Sequence, residues 1–353
     1  EMSASLVGSE MCIRDRVYVM SPSPYETYVE RIMETGAIHI PYEMNAKFSP
    51  WGDLKLLFLY WRTYRQLKPN YVIHYTIKPN IYGSLAARAN KIPSLAVVPG
   101  TGSVFQNSGM VSRMVGQLYK WAFRYPQKIW VLNEDDYRAF LVKNIVNQDR
   151  LAILPGEGVD TSFFCYKEYK RHSPFVFLYM GRMLREKGVE FMAKAVKLLH
   201  QKGIDDFEVR LLGLVDGLSK DVISEEEISQ WEKEGLVRFL GSTSDVRPDI
   251  EEADCVLLPT FYGEGVPRSL MEACSMGRIV LATDNVGCRD VVQDGYNGIL
   301  CKPKDVEDLA AKMEMILSMP EQTIRDMGEN GRKKMMVEFA EVKIVKRYLE
   351  EIS

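Results

Sequence analysis

The chain has 353 residues, of which 46% are hydrophobic and 26% charged, with a formal net charge of −3. That is an ordinary globular composition of about two domains. The near-neutral charge excludes a global field for nucleic acid, and no apolar run reaches the roughly 18 residues of a membrane span. Six cysteines (Cys12, Cys165, Cys255, Cys274, Cys288, Cys301) stand apart with no C-x-x-C pair. They read as small buried hydrophobes in a reducing compartment, not as a disulfide or zinc framework.

Glu1–Arg16 fits no strand or helix period and reads as a non-native leader. From Val17 the pattern alternates: strand Val17–Met20, helix Tyr25–Thr35, strand Ile38–Ile40, helix Leu54–Leu67, strand Tyr71–Tyr75, helix Asn80–Ala89 and strand Ser94–Val98. Helix Ser112–Phe123, strand Ile129–Leu132, helix Glu134–Val142 capped by Asn133, and strand Leu151–Leu154 follow. Interleaved strands and helices predict parallel β-α units, and residues 17–162 are taken as a first α/β domain.

Three features stand out in it. His74, Lys78 and Asn80 lie where a strand end runs into a helix, a place where open α/β sheets bind ligands. His74 suits hydrogen bonding or acid/base work and Lys78 a phosphate or lipid diphosphate; equally, His74 suits a packed strand and Lys78 a solvated surface. Pro99-Gly100-Thr101-Gly102-Ser103 could cradle an anion or acceptor hydroxyl with its amides, or be a tight turn. Arg113, Lys120, Arg124 and Lys128 with Tyr119, Trp121, Phe123 and Tyr125 fit either an interfacial helix or a core helix with a basic solvated face.

Residues 163–335 are taken as a second domain. It opens with strand Phe175–Met180 and the turn Gly181-Arg182-Met183-Leu184-Arg185-Glu186-Lys187-Gly188. Arg182 and Lys187 suit a diphosphate, a planar fork and a point charge respectively; Arg185 is read as solvated. Strand Phe207–Leu212 ends at Gly213, helix Glu225–Gly235 carries Trp231 inward, and strand Leu236–Leu240 ends at Gly241. Strand Cys255–Pro259 enters a loop carrying Glu264, and a helix carrying Glu272 starts near Pro267 and stops at Gly277. Gly265, Val266, Pro267, Ser269 and Leu270 surround that helix start, whose free N–H groups attract a diphosphate. A loop carboxylate such as Glu264 can accept from sugar hydroxyls, and Glu272 can hold a ribose in bidentate fashion. Two isolated acids would by themselves be ordinary solvated or capping groups. Strands Arg278–Thr283 and Gly298–Cys301, helix Asp305–Leu317 and a terminal helix Met335–Leu349 complete the pattern, with residues 336–353 as a closing helical segment.

The whole string Glu264, Gly265, Pro267, Leu270, Glu272, Ala273, Met276, Gly277 and Ala282-Thr283-Asp284…Gly287 resembles the E-x7-E region of the retaining glycosyltransferases of family 4, and Gly181-Arg182…Lys187-Gly188 matches their G-R-x4-K-G. The resemblance implies the GT-B fold: two Rossmann-like doubly wound domains facing a central cleft, with a C-terminal helix crossing back to the first. It implies that Glu264 faces the transferred sugar, Glu272 the ribose, and Arg182 and Lys187 the leaving diphosphate. Gly213 and Leu240 fall by the usual nucleobase position. Family members usually open with an earlier strand and Gly-rich turn, so the expectation is that this start has been lost, with part of the acceptor and diphosphate pocket. Many carry a histidine near the Pro99–Ser103 loop; none stands here, which puts a catalytic histidine in doubt.

A narrower likeness, through Thr76–Arg88, Gly158-Val159-Asp160, Trp231–Gly241 and Asp245–Pro248, is to bacterial transferases that add an N-acetylhexosamine to an undecaprenyl-diphosphate-linked sugar, the N,N'-diacetylbacillosaminyl-diphospho-undecaprenol N-acetylgalactosaminyltransferases among them. The resemblance implies a UDP-sugar donor, a lipid-linked saccharide acceptor, no metal or other cofactor, no nucleic acid, and a cytoplasmic place, with peripheral contact at the inner membrane left open. A GT-B UDP-sugar 2-epimerase and a non-catalytic sugar-nucleotide binder are the alternatives; product analysis separates the three.

Overall fold

Strand Phe175–Met180 is apolar and buried at every position, as is Cys255–Leu258, and Ile279–Thr283 is buried throughout and apolar up to its final threonine. Runs of this kind belong in a parallel sheet covered on both faces. The computed structural model describes residues 16–22, 26–44, 49–100, 110–215, 221–263 and 265–353. Glu264, Thr101 and, apart from Arg16, the expected leader lie outside the described residues.

The first elements are β1 (Tyr18–Ser21), α1 (Glu26–Glu34), β2 (Ile38–Pro41), α2 (Pro50–Leu67), β3 (Val72–Tyr75), a π-turn over Pro79–Gly83 running into α3 (Ser84–Ala89), and β4 (Ser94–Val98). They continue through α4 (Met110–Ala122), β5 (Lys128–Val131), α5 (Glu134–Val142) and β6 (Leu151–Ile153). The rest reads β7 (Phe175–Met180), α6 (Val189–Gln201), β8 (Phe207–Leu212), α7 (Glu225–Lys233), β9 (Arg238–Gly241), α8 (Arg247–Glu251), β10 (Cys255–Leu258) and α9 (Arg268–Ser275). β11 (Ile279–Thr283), α10 (Cys288–Val291), β12 (Gly298–Cys301), α11 (Val306–Leu317), α12 (Glu321–Lys334) and α13 (Glu341–Ile352) close it.

By their contacts, and apart from the last two residues, the chain divides into Glu1–Val97 with Leu118–Ile129 and Val98–Gln117 with Trp130–Glu351. β1 and β2 form a parallel pair, β3-β4-β5-β6 a four-stranded sheet, and β12-β11-β10-β7-β8-β9 a six-stranded sheet. Every pair in the six-stranded sheet is parallel. Its order is that of a doubly wound fold, in which chain direction across the sheet reverses between β7 and β10. Ligands of such sheets bind beyond the carboxyl ends of the strands at that reversal.

In the first unit, α2 turns Leu56, Tyr60 and Tyr64 onto Ala86 and Ala87 of α3. In the second, Asn133 caps α5, its side chain accepting from the Asp136 N–H at 2.8 Å, and Ser224 opens α7 with a reciprocal capping box to Glu227. Tyr348 of α13 lies against Trp130 of β5, ring centroids 4.8 Å apart.

Several expectations are corrected. The terminal helix is not one span from Met335: α12 ends at Lys334, a π-turn covers Met335–Phe339, and α13 begins at Glu341. The break has a backbone cause. Val159 N–H donates to the Phe339 carbonyl at 2.8 Å and Glu341 N–H donates to the Val159 carbonyl at 3.0 Å, which draws that stretch out of helical bonding. Of the two readings of the basic, aromatic helix, the core one holds for Tyr119 and Phe123, which are buried and stacked at 4.6 Å. Trp231 is only half-buried. Arg185 is no solvated turn residue, since its guanidinium holds Glu227 through two bonds of 2.8 and 2.9 Å and reaches Glu190 at 3.2 Å.

Candidate active site

The turns after β7, β8 and β9 meet through glycine. Gly181 N–H donates to the Leu212 carbonyl at 3.0 Å, and Gly213 N–H donates to the Gly241 carbonyl at 2.7 Å. A Cβ on Gly213 would lie 1.8 Å from the Gly181 carbonyl oxygen, so no side chain fits there. Gly213 therefore meets Gly241, the neighbour of half-buried Leu240.

The turn carrying the two cations is fastened to the loop after β10. The Glu186 carbonyl accepts from Phe261 N–H at 3.0 Å, Tyr262 N–H at 3.2 Å and the Thr260 hydroxyl at 3.2 Å. Asn285 donates its amide to the Tyr262 carbonyl at 2.8 Å, and the Thr283 hydroxyl donates to the Thr260 carbonyl. Arg182 is exposed, its carbonyl taking the Tyr179 hydroxyl at 2.7 Å. The Lys187 ammonium lies 5.9 Å from the centre of the Tyr262 ring. Backbone bonds thus hold a guanidinium and an ammonium, on one short turn, at the reversal of the sheet.

The same loop leads into α9. Pro267 stands at its N-cap rather than inside its first turn, Val266 and Leu270 are buried, and Ser269 is half-buried. Glu272, one turn along the helix, has a largely buried side chain with the Arg268 guanidinium 3.6 Å away. Gly265 is wedged: a Cβ there would lie 1.7 Å from the Pro99 carbonyl oxygen, and the Asn133 amide donates to its own carbonyl at 3.4 Å. The Pro99-Gly100 segment therefore borders the loop of Gly265.

The other group of expected residues is internal to the first unit. His74 is buried, with its Nε2 3.0 Å from the Tyr64 hydroxyl and its Nδ1 3.4 Å from the Ser84 hydroxyl. Burial pushes its pKa down to about 3, so it is neutral. Lys78 is buried in an ion pair, Nζ to Asp53 Oδ1 2.7 Å, and buried Asn80 donates to the Val97 carbonyl at 2.7 Å. The packed alternative holds for His74, and the solvated alternative for Lys78 fails as the phosphate reading does. An acceptor could reach His74 and Lys78 only by breaking bonds they already make, and Asn80 is fully buried.

Asn133, Thr260 and Asn285 were not picked out for the site, and Thr283 only within the family-like string. Asn133 was legible only as a helix cap, and the polar run Thr283-Asp284-Asn285 at the end of a buried strand was the available signal for Asn285.

A doubly wound sheet with a cation-bearing turn and a carboxylate-bearing helix at its switch point is the arrangement of the GT-B fold. The solved structure of Anabaena Alr3699/HepE in complex with UDP and glucose superposes with a TM-score of 0.79 at 18% identity, covering 96% of this chain and 92% of that one. A glycosyltransferase from Rickettsia africae ESF-5 gives 0.77 at 18%, covering 96% and 89%.

Residues 166–334, which hold all these loops except the Asn133 and Pro99 contacts, match the family described as Glycosyl transferases group 1. The chain is 26% identical to the N,N'-diacetylbacillosaminyl-diphospho-undecaprenol alpha-1,3-N-acetylgalactosaminyltransferase of Campylobacter jejuni, over 96% of this chain and 90% of the relative. It is 24% identical to the UDP-Gal:alpha-D-GlcNAc-diphosphoundecaprenol alpha-1,3-galactosyltransferase of Escherichia coli, over 83% and 77%.

Proposed function

We propose that this enzyme transfers a hexosyl or N-acetylhexosaminyl group from a UDP-sugar, with retention, to an undecaprenyl-diphosphate-linked saccharide. The observation that carries the reading is the triple acceptance at the Glu186 carbonyl. It ties the turn of Arg182 and Lys187 to the loop that opens α9, the helix that carries Glu272. On this reading Glu272 holds the ribose, Arg182 and Lys187 neutralise the charge that builds on the departing diphosphate, and the uracil lies by Gly213 and Leu240. Glu264 orients the sugar hydroxyls. The guanidinium and ammonium take the part that a metal plays elsewhere, so transfer proceeds without one. Gly100, beside the Pro99 carbonyl that abuts Gly265, borders the acceptor, together with Thr101.

Both relatives named above carry a diphospho-undecaprenol-linked substrate in their names, which supports the lipid-linked acceptor. The test is incubation with a panel of UDP-sugars and undecaprenyl-diphosphate-linked monosaccharides, with products read by mass spectrometry and the new linkage by the NMR coupling of its anomeric proton. A product with the donor's anomeric configuration is expected. An isomerised free donor, or UDP binding without product, would replace the proposal with epimerisation or mere binding.

A further inference from the structure

α2 is amphipathic twice over. With about 3.6 residues per turn, Asp53, Leu56, Tyr60 and Tyr64 fall on one side and are buried. Trp51, Leu54, Lys55, Phe58, Arg62 and Arg65 fall on the opposite side, with half-buried Trp61 at its edge. There Trp51 is 78% exposed, Leu54 56% and Phe58 58%. Phe58 stacks on Trp61 at 5.5 Å, and the Arg65 guanidinium sits 5.2 Å over the Trp61 ring. Lys55, Arg62 and Arg65 are exposed, while the helix's only acid, Asp53, is buried against Lys78. The outward face thus combines large apolar side chains with three cations and no anion. Water is a poor partner for the first group, and the second selects a negatively charged surface. Among the described residues no helix is long and apolar enough to cross a membrane.

We infer that the outer face of α2 docks on an anionic phospholipid bilayer, with Trp51, Leu54 and Phe58 entering the headgroup boundary and Lys55, Arg62 and Arg65 pairing with lipid phosphates. Tryptophan favours that boundary, where its ring is apolar and its N–H stays wet. The site deepens the lipid-linked reading of the acceptor. Its test uses neither donor nor acceptor, so either can fail alone.

The test is co-sedimentation of the full chain with phosphatidylcholine vesicles, with and without phosphatidylglycerol. The unsubstituted protein is expected to bind the anionic vesicles, and less so in high salt. The triple variant Trp51→Ser, Leu54→Ser, Phe58→Ser and the separate triple variant Lys55→Glu, Arg62→Glu, Arg65→Glu are each expected to bind about tenfold or more weakly. Their melting temperatures should be unchanged, since these side chains face outward. Trp121→Ser, on the other exposed tryptophan-bearing helix, is expected to bind like the unsubstituted protein. Undiminished binding by both triple variants, or no binding by the unsubstituted protein, would overturn the inference. So would sedimentation velocity showing a dimer that the apolar triple variant splits, since a second copy would then cover this face.

Discussion

Gly188 and Pro259 meet backbone to backbone: a Cβ added to Gly188 would lie 2.1 Å from the Pro259 carbonyl oxygen. Gly188 also has φ +81°, so both space and conformation demand glycine there. The contact sets the cation-bearing turn after β7 against the end of β10, at the reversal of the sheet.

Gly203 separates the two demands, since it has φ +76° but nothing within 4 Å of an added Cβ. Gly203→Ala should cost about 1 kcal/mol of stability from left-handed strain alone and leave UDP affinity unchanged. Gly188→Ala should cost roughly 2 kcal/mol or more and weaken UDP binding about tenfold. Urea unfolding and titration check this; equal effects of the two substitutions would contradict it.

Arg182 and Arg185 stand three positions apart with opposite expected roles. Arg182→Ala should lower kcat by about a hundredfold or more with the melting temperature unchanged. Arg185→Ala breaks half-exposed pairs to Glu227 and Glu190. It should cost about 0.5–1 kcal/mol of stability and leave kcat within about twofold of normal. Steady-state kinetics beside thermal melts distinguish them.

Asn133 both caps α5 and reaches the Gly265 carbonyl. Asn133→Ala should lose about 1 kcal/mol of stability with the cap, and kcat/KM as well. Asn133→Ser keeps a capping oxygen but not the amide, so stability should be largely kept and kcat/KM still fall. If Asn133→Ser has full activity, the tether to Gly265 is idle.

His74, pushed down to about 3 by burial, stays neutral when folded, whereas in the unfolded chain it takes up a proton below about 6.5. Between those values the unfolded state binds more protons. The stability is therefore present above about pH 6.5 and is lost as pH falls toward 3, by at most about 1.4 kcal/mol per pH unit. Asp290, pushed up to about 6 by burial and then by Asp135, acts with the opposite sign. The check is therefore the difference in slope between the parent and His74→Gln, which should be shallower between pH 6.5 and 4.

Much of this was legible in the sequence. β7, β8, β12 and α5 fall where apolar runs, turn glycines and the Asn133 cap put them, because buried parallel strands are continuous apolar runs between breakers. The turn from Gly181 to Gly188 was legible because its chemistry is local. What was not legible depends on pairing across distance. α12 was missed because its buried face is Ile324, Met327, Gly328 and Gly331, and a glycine that packs by having no side chain leaves no apolar signal. A Cβ on Gly328 would lie 2.1 Å from the Gly277 carbonyl oxygen. Lys78 looked like a ligand contact because its partner, Asp53, stands 25 positions upstream, beyond any periodicity. Glu272 was placed on its helix correctly, but the neighbouring Arg268 at 3.6 Å shows that it already has one cation beside it.

The central claim, that the loops at the sheet's reversal hold a uridine diphosphate with Glu272 on its ribose, is tested most directly by calorimetric titration of UDP into the protein and into Glu272→Ala. The account predicts saturable binding that weakens about tenfold, near 1.4 kcal/mol, in the variant. Binding of equal strength in both proteins, or none in the parent, would contradict it.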